Sequence, residues 1–140
     1  MSKHLDRIQA VLENYISEEG STFHISVDDS QDSSMLSIIH DDLEEFPIFA
    51  VASDSQILFN VVLFDKAQVL EGQIAALNET MLQLNIALPL SSFALTGNNY
   101  SIFGALSVNS ESSQIQEEVT VLAENIMDAL EVCQKFLIKA

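Results

Sequence analysis

The sequence predicts an α+β fold: a mainly antiparallel sheet with N-terminal, central and C-terminal helices, in the order α-β-β-β-β-α-β-β-α. Three observations lead there. Apolar residues recur at spacings of three and four near both ends of the chain and in its middle, as they do along one side of a helix. Between these stretches lie short apolar or alternating runs of the kind that form strands. The connections between the runs have hairpin length, which pairs neighbouring strands antiparallel and leaves the helices to cover the sheet. The 140 residues suit one domain, 1–140, and 48% of them are apolar, enough for a core without disulfides or metals.

Ser2 is placed to cap a first helix over residues 3–16, with Leu5, Ile8, Leu12 and Tyr15 or Ile16 as its buried stripe and Asp6 near its positive end. Gly20, after Glu18 and Glu19, suits a left-handed C-terminal cap. Phe23, Ile25 and Val27 then alternate with His24, Ser26 and Asp28, as in a half-buried strand. DDSQDSS is a turn and MLSIIH the returning strand. The acidic segment DDLEEF precedes Pro47, which favours an extended approach to the next strand. IFAVAS and QILFNVVLF are apolar enough to be central strands, joined tightly at Ser53-Asp54-Ser55.

The central helix begins somewhere in 65–71 and is stopped by Pro89. Leu70, Ile74, Leu77, Met81, Leu84 and Leu88 follow one another at spacings of four, three, four, three and four, which gives one apolar seam. A second apolar line, Ala75, Leu82 and Ile86, runs beside it, and Glu71 and Glu79 are the only charges. A helix this poor in charge, in so acidic a chain, is expected to be covered on more than one side. One face packs on the sheet and the other on a second copy, a C2 homodimer being the commonest solution. The six seam residues are therefore the candidate dimer or partner contact.

After Pro89, SSFAL and YSIFGALSV form a hairpin around Thr96-Gly97-Asn98-Asn99. The last helix starts near Ser113, where Ser113-x-x-Gln116 has capping-box form and Glu117 and Glu118 fall in the first turn. Its apolar stripe is Ile115, Val119, Leu122, Ile126, Leu130, Cys133 and Leu137. Glu117, Glu124, Asp128 and Glu131 take the other face, with Lys135 one turn beyond Glu131.

The charge balance bounds the function. With 21 acids and 5 bases the formal charge is −16, and no basic residue lies between Arg7 and Lys66 or between Lys66 and Lys135. Such a surface repels phosphate backbones and anionic headgroups, so direct nucleic-acid and membrane binding are disfavoured. It favours a basic protein partner or, more plainly, solubility. The N-terminal stretch lacks a secretory apolar core, and no run approaches the roughly 18 apolar residues of a membrane span. One cysteine, Cys133, excludes an intramolecular disulfide and fits a reducing compartment. Together these predict a cytoplasmic location.

No catalytic or cofactor motif emerges. Asp28-x-Ser30-x-Asp32 opens like a calcium loop, but the positions that need glycine and a bidentate glutamate hold Ser33 and Ile39, so a solvated turn is the reading. Pairing Ile25 with Ile38 and Val27 with Leu36 sets His24 outward opposite Ile39 and His40 inward opposite Phe23; the two rings then cannot share a metal. His4 has no evident partner. Asp41, Asp42, Glu44 and Glu45 could hold a metal or act as acid–base groups, but a contiguous run beside a proline reads as an exposed loop. Cys133 sits on an apolar stripe with no neighbouring base, as a buried inert thiol does. No phosphate-cradling glycine loop or nucleophile elbow is present. The expected sites are accordingly no catalytic residue, no metal and no cofactor.

The stretches LNETMLQLNIALPLSSFAL, NYSIFGALS and VLAENIMDALE resemble the YjfI family of small bacterial proteins. That resemblance implies a non-enzymatic protein linked by genomic neighbourhood to phage-shock-protein-A-like partners, and so to envelope stress; it carries over no functional residue. The element order, size and acidity are also similar to type III secretion chaperones, dimeric α+β proteins that hold an unfolded segment of another protein. Four predicted strands precede the central helix, one more than that pattern usually has. The expectation is a non-enzymatic acidic adaptor, chaperone-like, whose partner is basic or exposes apolar segments. Two alternatives stand beside it: a small metal-dependent enzyme using His40 with the carboxylates at 41–45, and an acidic inhibitor that imitates nucleic-acid charge.

Overall fold

The computed structural model describes residues 3–29 and 34–139. Its elements are α1 (Lys3–Glu13), β1 (Phe23–Asp29), β2 (Ser34–His40), β3 (Ile48–Ala52), β4 (Gln56–Asp65), α2 (Ile74–Leu84), β5 (Ser92–Thr96), β6 (Asn99–Ser107) and α3 (Ser112–Cys133), with 3₁₀ turns at Lys66–Gln68 and Gln134–Phe136. The order of helices and strands is the predicted one. The six strands form one antiparallel sheet in the order β1-β2-β3-β4-β6-β5. The predicted Ser2 cap, and the Ser30, Asp32 and Ser33 positions of the calcium-like stretch, lie outside the described residues.

Alternation fixed the register of the first hairpin. Ile25 faces Ile38, Val27 faces Leu36, His24 faces Ile39 and Phe23 faces His40. A slip of one residue between β1 and β2 would have put Ile25 and Ile38 on opposite faces of the sheet. Continued across the sheet, the same face carries Leu36 and Ile38, Ile48 and Ala50, Phe59 and Val61, and Ile102, all essentially buried. Helix α1 lies over β1 to β3 through Leu5, Ile8 and Leu12, each no more than 1% exposed. Burying such a side chain contributes about 1.5–3 kcal/mol, which holds a helix of 11 residues that would be marginal alone. Helix α3 packs beside α1 on β4 and β6. Arg7 joins the layers by donating to the Val108 and Ser110 carbonyls, which lead into α3. The opposite face of the sheet is more open, with Val51 and Val62 about 40% exposed.

All three helices depart from the sequence expectation at a boundary. The first helix ends at Glu13 rather than at residue 16, and Tyr15 instead closes a turn onto the Leu12 carbonyl. Helix α3 begins at Ser112, capped by a box between Glu111 and Gln114 rather than Ser113 and Gln116. Helix α2 is shorter at both ends than residues 70–88. At its start, Leu70 donates its N–H to the Phe136 carbonyl and Val69 pairs with Leu137, so the returning C-terminus takes these backbone groups from any helix. Gly72, at φ 80°, turns the chain before Ile74. At the other end, Asn85 spends its side chain on the Phe93 N–H, 2.7 Å away, and the chain continues in turns to Leu90, whose φ is 63°. Pro89 therefore lies beyond the helix and does not end it.

Candidate functional site

The seam residues separate into two groups. Leu77 and Met81 are 0% and 4% exposed and belong to the chain's own core, against which Ile74, Leu84 and Leu88 are partly buried. Leu70 is 39% exposed and stands before α2, not on it. The second apolar line points the other way: Leu82 is 70% and Ile86 94% exposed. Two hydrogen bonds moor α2 to the sheet, from the Tyr100 hydroxyl to Asn78 Oδ1 (2.6 Å) and from the Phe93 N–H to Asn85 Oδ1. Burial raises the Tyr100 pKa, which keeps the hydroxyl a donor.

Between α2 and the β5–β6 hairpin runs an apolar groove of about 240 Å³, with Met81, Leu82 and Asn85 on one wall and Phe93, Leu95 and Tyr100 on the other. That volume falls below the roughly 300–1,000 Å³ of a small-molecule site; it suits one or two side chains of a docking surface. The adjoining strand β5 is an edge of the sheet, with no strand on its other side. Leu95 in the groove wall is 43% exposed, and Leu90, just before β5, is 52% exposed. Between Glu71 and Glu111 the sequence has one charge, Glu79, so this surface is nearly neutral on a chain of charge −16.

The acidic segment forms an exposed loop. Asp41, Asp42, Glu44 and Glu45 face outward around Leu43, which is buried and anchors it. His24 is exposed on one sheet face and His40 half-buried on the other, as the register required, with His40 edge-on to Phe23. Ligand atoms of His40, Asp41 and Asp42 lie within 4.8 Å of one another, the one such group of three among the described residues. However, His40 Nδ1 already accepts the Asp42 N–H at 3.0 Å, with Asp41 Oδ1 3.2 Å away. That lone pair is therefore occupied, and both carboxylates remain in solvent. Cys133 is buried and burial pushes its thiol up to about 11, so it is not a nucleophile at neutral pH.

The pattern reading missed one buried polar centre. Glu118, expected in the first turn of the last helix, lies beyond that turn and is 2% exposed; its Oε1 has no hydrogen-bond partner, and burial followed by the Glu117 charge raises its pKa to about 7. The carboxyl lies over Gly104 in β6, where a Cβ would stand 1.8 Å from Oε1. Nearby on the same helix, Asn125 donates to the Pro89 carbonyl and to Ser91 Oγ at 2.8 and 2.9 Å, fastening the segment that leaves α2. Two signals were available: Glu118 and Asn125 each stand three residues after a stripe residue, Ile115 and Leu122, and Gly104 interrupts a strand where a close approach is expected.

The fold is shared with secretion chaperones. The type III secretion chaperone SycH of Yersinia pestis, solved with a stable fragment of YscM2, superposes with a TM-score of 0.55 at 16% identity, covering 87% of this chain and 98% of that one. The HopA1–SchA chaperone–effector complex gives 0.59 at 14% identity over 91% and 90%. YbjN from E. coli gives 0.65 at 14% identity over 97% and 94%. At these identities the likeness defines the fold. The chain itself belongs to the DUF2170 family, described as an uncharacterized protein conserved in bacteria, which it matches over residues 3–137. No curated protein sequence matches it. No helix among the described residues is long and apolar enough to cross a membrane.

Proposed function

We propose that this protein is a non-enzymatic, acidic cytoplasmic adaptor with a chaperone-like role: a single domain, two copies of which meet across the α2–β5 face and hold an exposed segment of another protein. One observation carries the reading. The exposed apolar residues Leu82, Ile86, Leu90 and Leu95 gather on the one long stretch of the chain that is almost free of charge. Two copies of charge −16 repel each other where their acids meet, so a nearly neutral face is where self-association costs least. Its apolar residues, helix and strand edge suit an isologous contact. The seam contributes Leu70 and the rims of Leu84 and Leu88 to that contact, while Leu77 and Met81 support it from within.

The shared fold supports a protein partner, since SchA and SycH were both solved with protein partners bound. The YjfI-like resemblance supports a phage-shock-protein-A-like protein as that partner, and envelope stress as the setting. The metal-dependent alternative retains one observation, the grouping of His40, Asp41 and Asp42; a thermal shift on adding divalent cations, lost in Asp41→Asn/Asp42→Asn, would favour it over the adaptor.

Light scattering on size-exclusion fractions tests the assembly. The wild type should have twice the 15.4 kDa mass of the chain. Leu82→Asp/Ile86→Asp changes only exposed positions and should give a folded monomer. A monomeric wild type, or an unchanged dimer in the variant, overturns the assignment of this face.

A further inference from the structure

We infer that the trough between the α1–β1 loop and α3 is the docking groove for a cationic, partly apolar segment of a protein partner; this rests on the adaptor reading and gives the partner its chemistry. Two adjoining clefts of about 390 and 220 Å³ share Ser17, Glu19, Thr120 and Glu124, and so make one continuous trough from the α1–β1 loop along α3 to the end of β2.

Its rim is acidic throughout. Glu18, Glu19, Glu117 and Glu124 are exposed along it, with Asp42 at the β2 end. No lysine or arginine lines either cleft among the described residues. The five bases stand elsewhere, at Lys3, Arg7, Lys66, Lys135 and Lys139, and Arg7 is committed to the Val108 and Ser110 carbonyls. Like charges gathered without a counter-charge repel one another, and a cationic ligand removes that repulsion.

The trough is more than a charge cluster. Tyr15 and Val121 give it a half-buried apolar floor, and Met127, 58% exposed, continues that floor toward His40. Thr120 lines both halves with its partly buried side chain. An occupant must therefore bring positive charge to the rim and apolar side chains to the floor. An extended segment in which Lys or Arg alternates with apolar residues does both, because alternate side chains project to opposite sides. A second copy of this chain does not, since its charge has the wrong sign and its neutral surface is the α2–β5 face.

The test is fluorescence anisotropy with a short labelled peptide of alternating Lys and Leu, titrated with the full chain at low and physiological salt. Two variants each lose four acids. One has Glu18→Gln, Glu19→Gln, Glu117→Gln and Glu124→Gln in the trough; the other has Asp6→Asn, Asp54→Asn, Glu71→Gln and Glu131→Gln elsewhere. The wild type should bind, the trough variant about tenfold more weakly, and the other variant within twofold of wild type. Equal weakening in both variants would mean that net charge alone attracts the peptide and would overturn the groove. Absence of binding to the wild type would overturn it too. In either case an uncharged Ser/Leu peptide that still binds would leave the adaptor reading standing without this partner chemistry, whereas a wild type that binds neither peptide would count against both. Circular dichroism melting confirms that each variant is folded.

Discussion

Gly104→Ala should be one of the most damaging single-methyl changes in the sheet, and its cost should depend on Glu118. The new Cβ would stand 1.8 Å from Glu118 Oε1, 3.0 Å from Glu118 Cδ and 3.1 Å from the Leu90 carbonyl oxygen. The first two contacts end if the carboxyl swings away, but Glu118 is 2% exposed and must displace its neighbours to move. The third contact is with backbone in a segment already held by Asn125. Overpacking of this kind costs about 1–3 kcal/mol, and for a chain of this size each kcal/mol lowers Tm by roughly 3–4 °C. Glu118→Ala removes the obstructing atoms, so Gly104→Ala should cost markedly less in the Glu118→Ala background, with a coupling of about 1 kcal/mol or more. Urea denaturation of the four proteins at one fixed protein concentration measures the cycle. Additivity within about 0.3–0.5 kcal/mol would refute the packing of Glu118 on Gly104.

Two further predictions follow from the same packing. Because the folded pKa of Glu118 is raised from 4.5 to about 7, the folded state holds its proton more tightly than the unfolded chain. Its contribution to stability is fully present below about pH 4.5 and declines as pH rises through about 7. Glu118→Gln stays neutral and should flatten that decline, which urea midpoints at acid and alkaline pH would show; an unchanged pH profile contradicts the burial assigned to this carboxyl. On α2, Leu77→Ala at a fully buried site should cost about 2–5 kcal/mol, while Leu82→Ala, at a position 70% exposed, should stay within about 0.5 kcal/mol in an Ile86→Asp background that light scattering shows to be monomeric. Similar losses at both positions would refute the division of the helix into a core face and an outer face.

How far the sequence could be read depended on the kind of constraint. Strand alternation is strict, so Ile25, Ile38, Val27 and Leu36 determined the first hairpin's register and, through it, the opposite placement of His24 and His40. The extent of α2 was not legible. Its seam has the same periodicity in the helix as in the turns that follow, and the C-terminal segment that claims the backbone of Val69 and Leu70 is distant in sequence. The candidate contact was half legible for a related reason. Periodicity shows that Leu77 and Leu82 lie on different sides of one helix, but only the sheet decides which side is covered. Glu118 was misplaced because an acid near a helix N-terminus satisfies the helix dipole and draws no further attention, although its spacing from Ile115 marks the inner face. The trough spans the α1–β1 loop, the end of β2 and α3, and its acids become neighbours only when those elements pack together.

Site-directed crosslinking through Ile86 tests the central claim most directly. Ile86→Cys places a thiol on the outermost residue of the α2–β5 face, while Cys133 is 0% exposed and its thiol is held up at about 11, so the native cysteine stays silent. Under mild oxidation the Ile86→Cys protein should run as a covalent dimer on a non-reducing gel, whereas Val51→Cys, exposed on the open face of the sheet, should remain a monomer. Crosslinking of Val51→Cys in preference to Ile86→Cys would place the contact on the other side of the molecule and contradict the account.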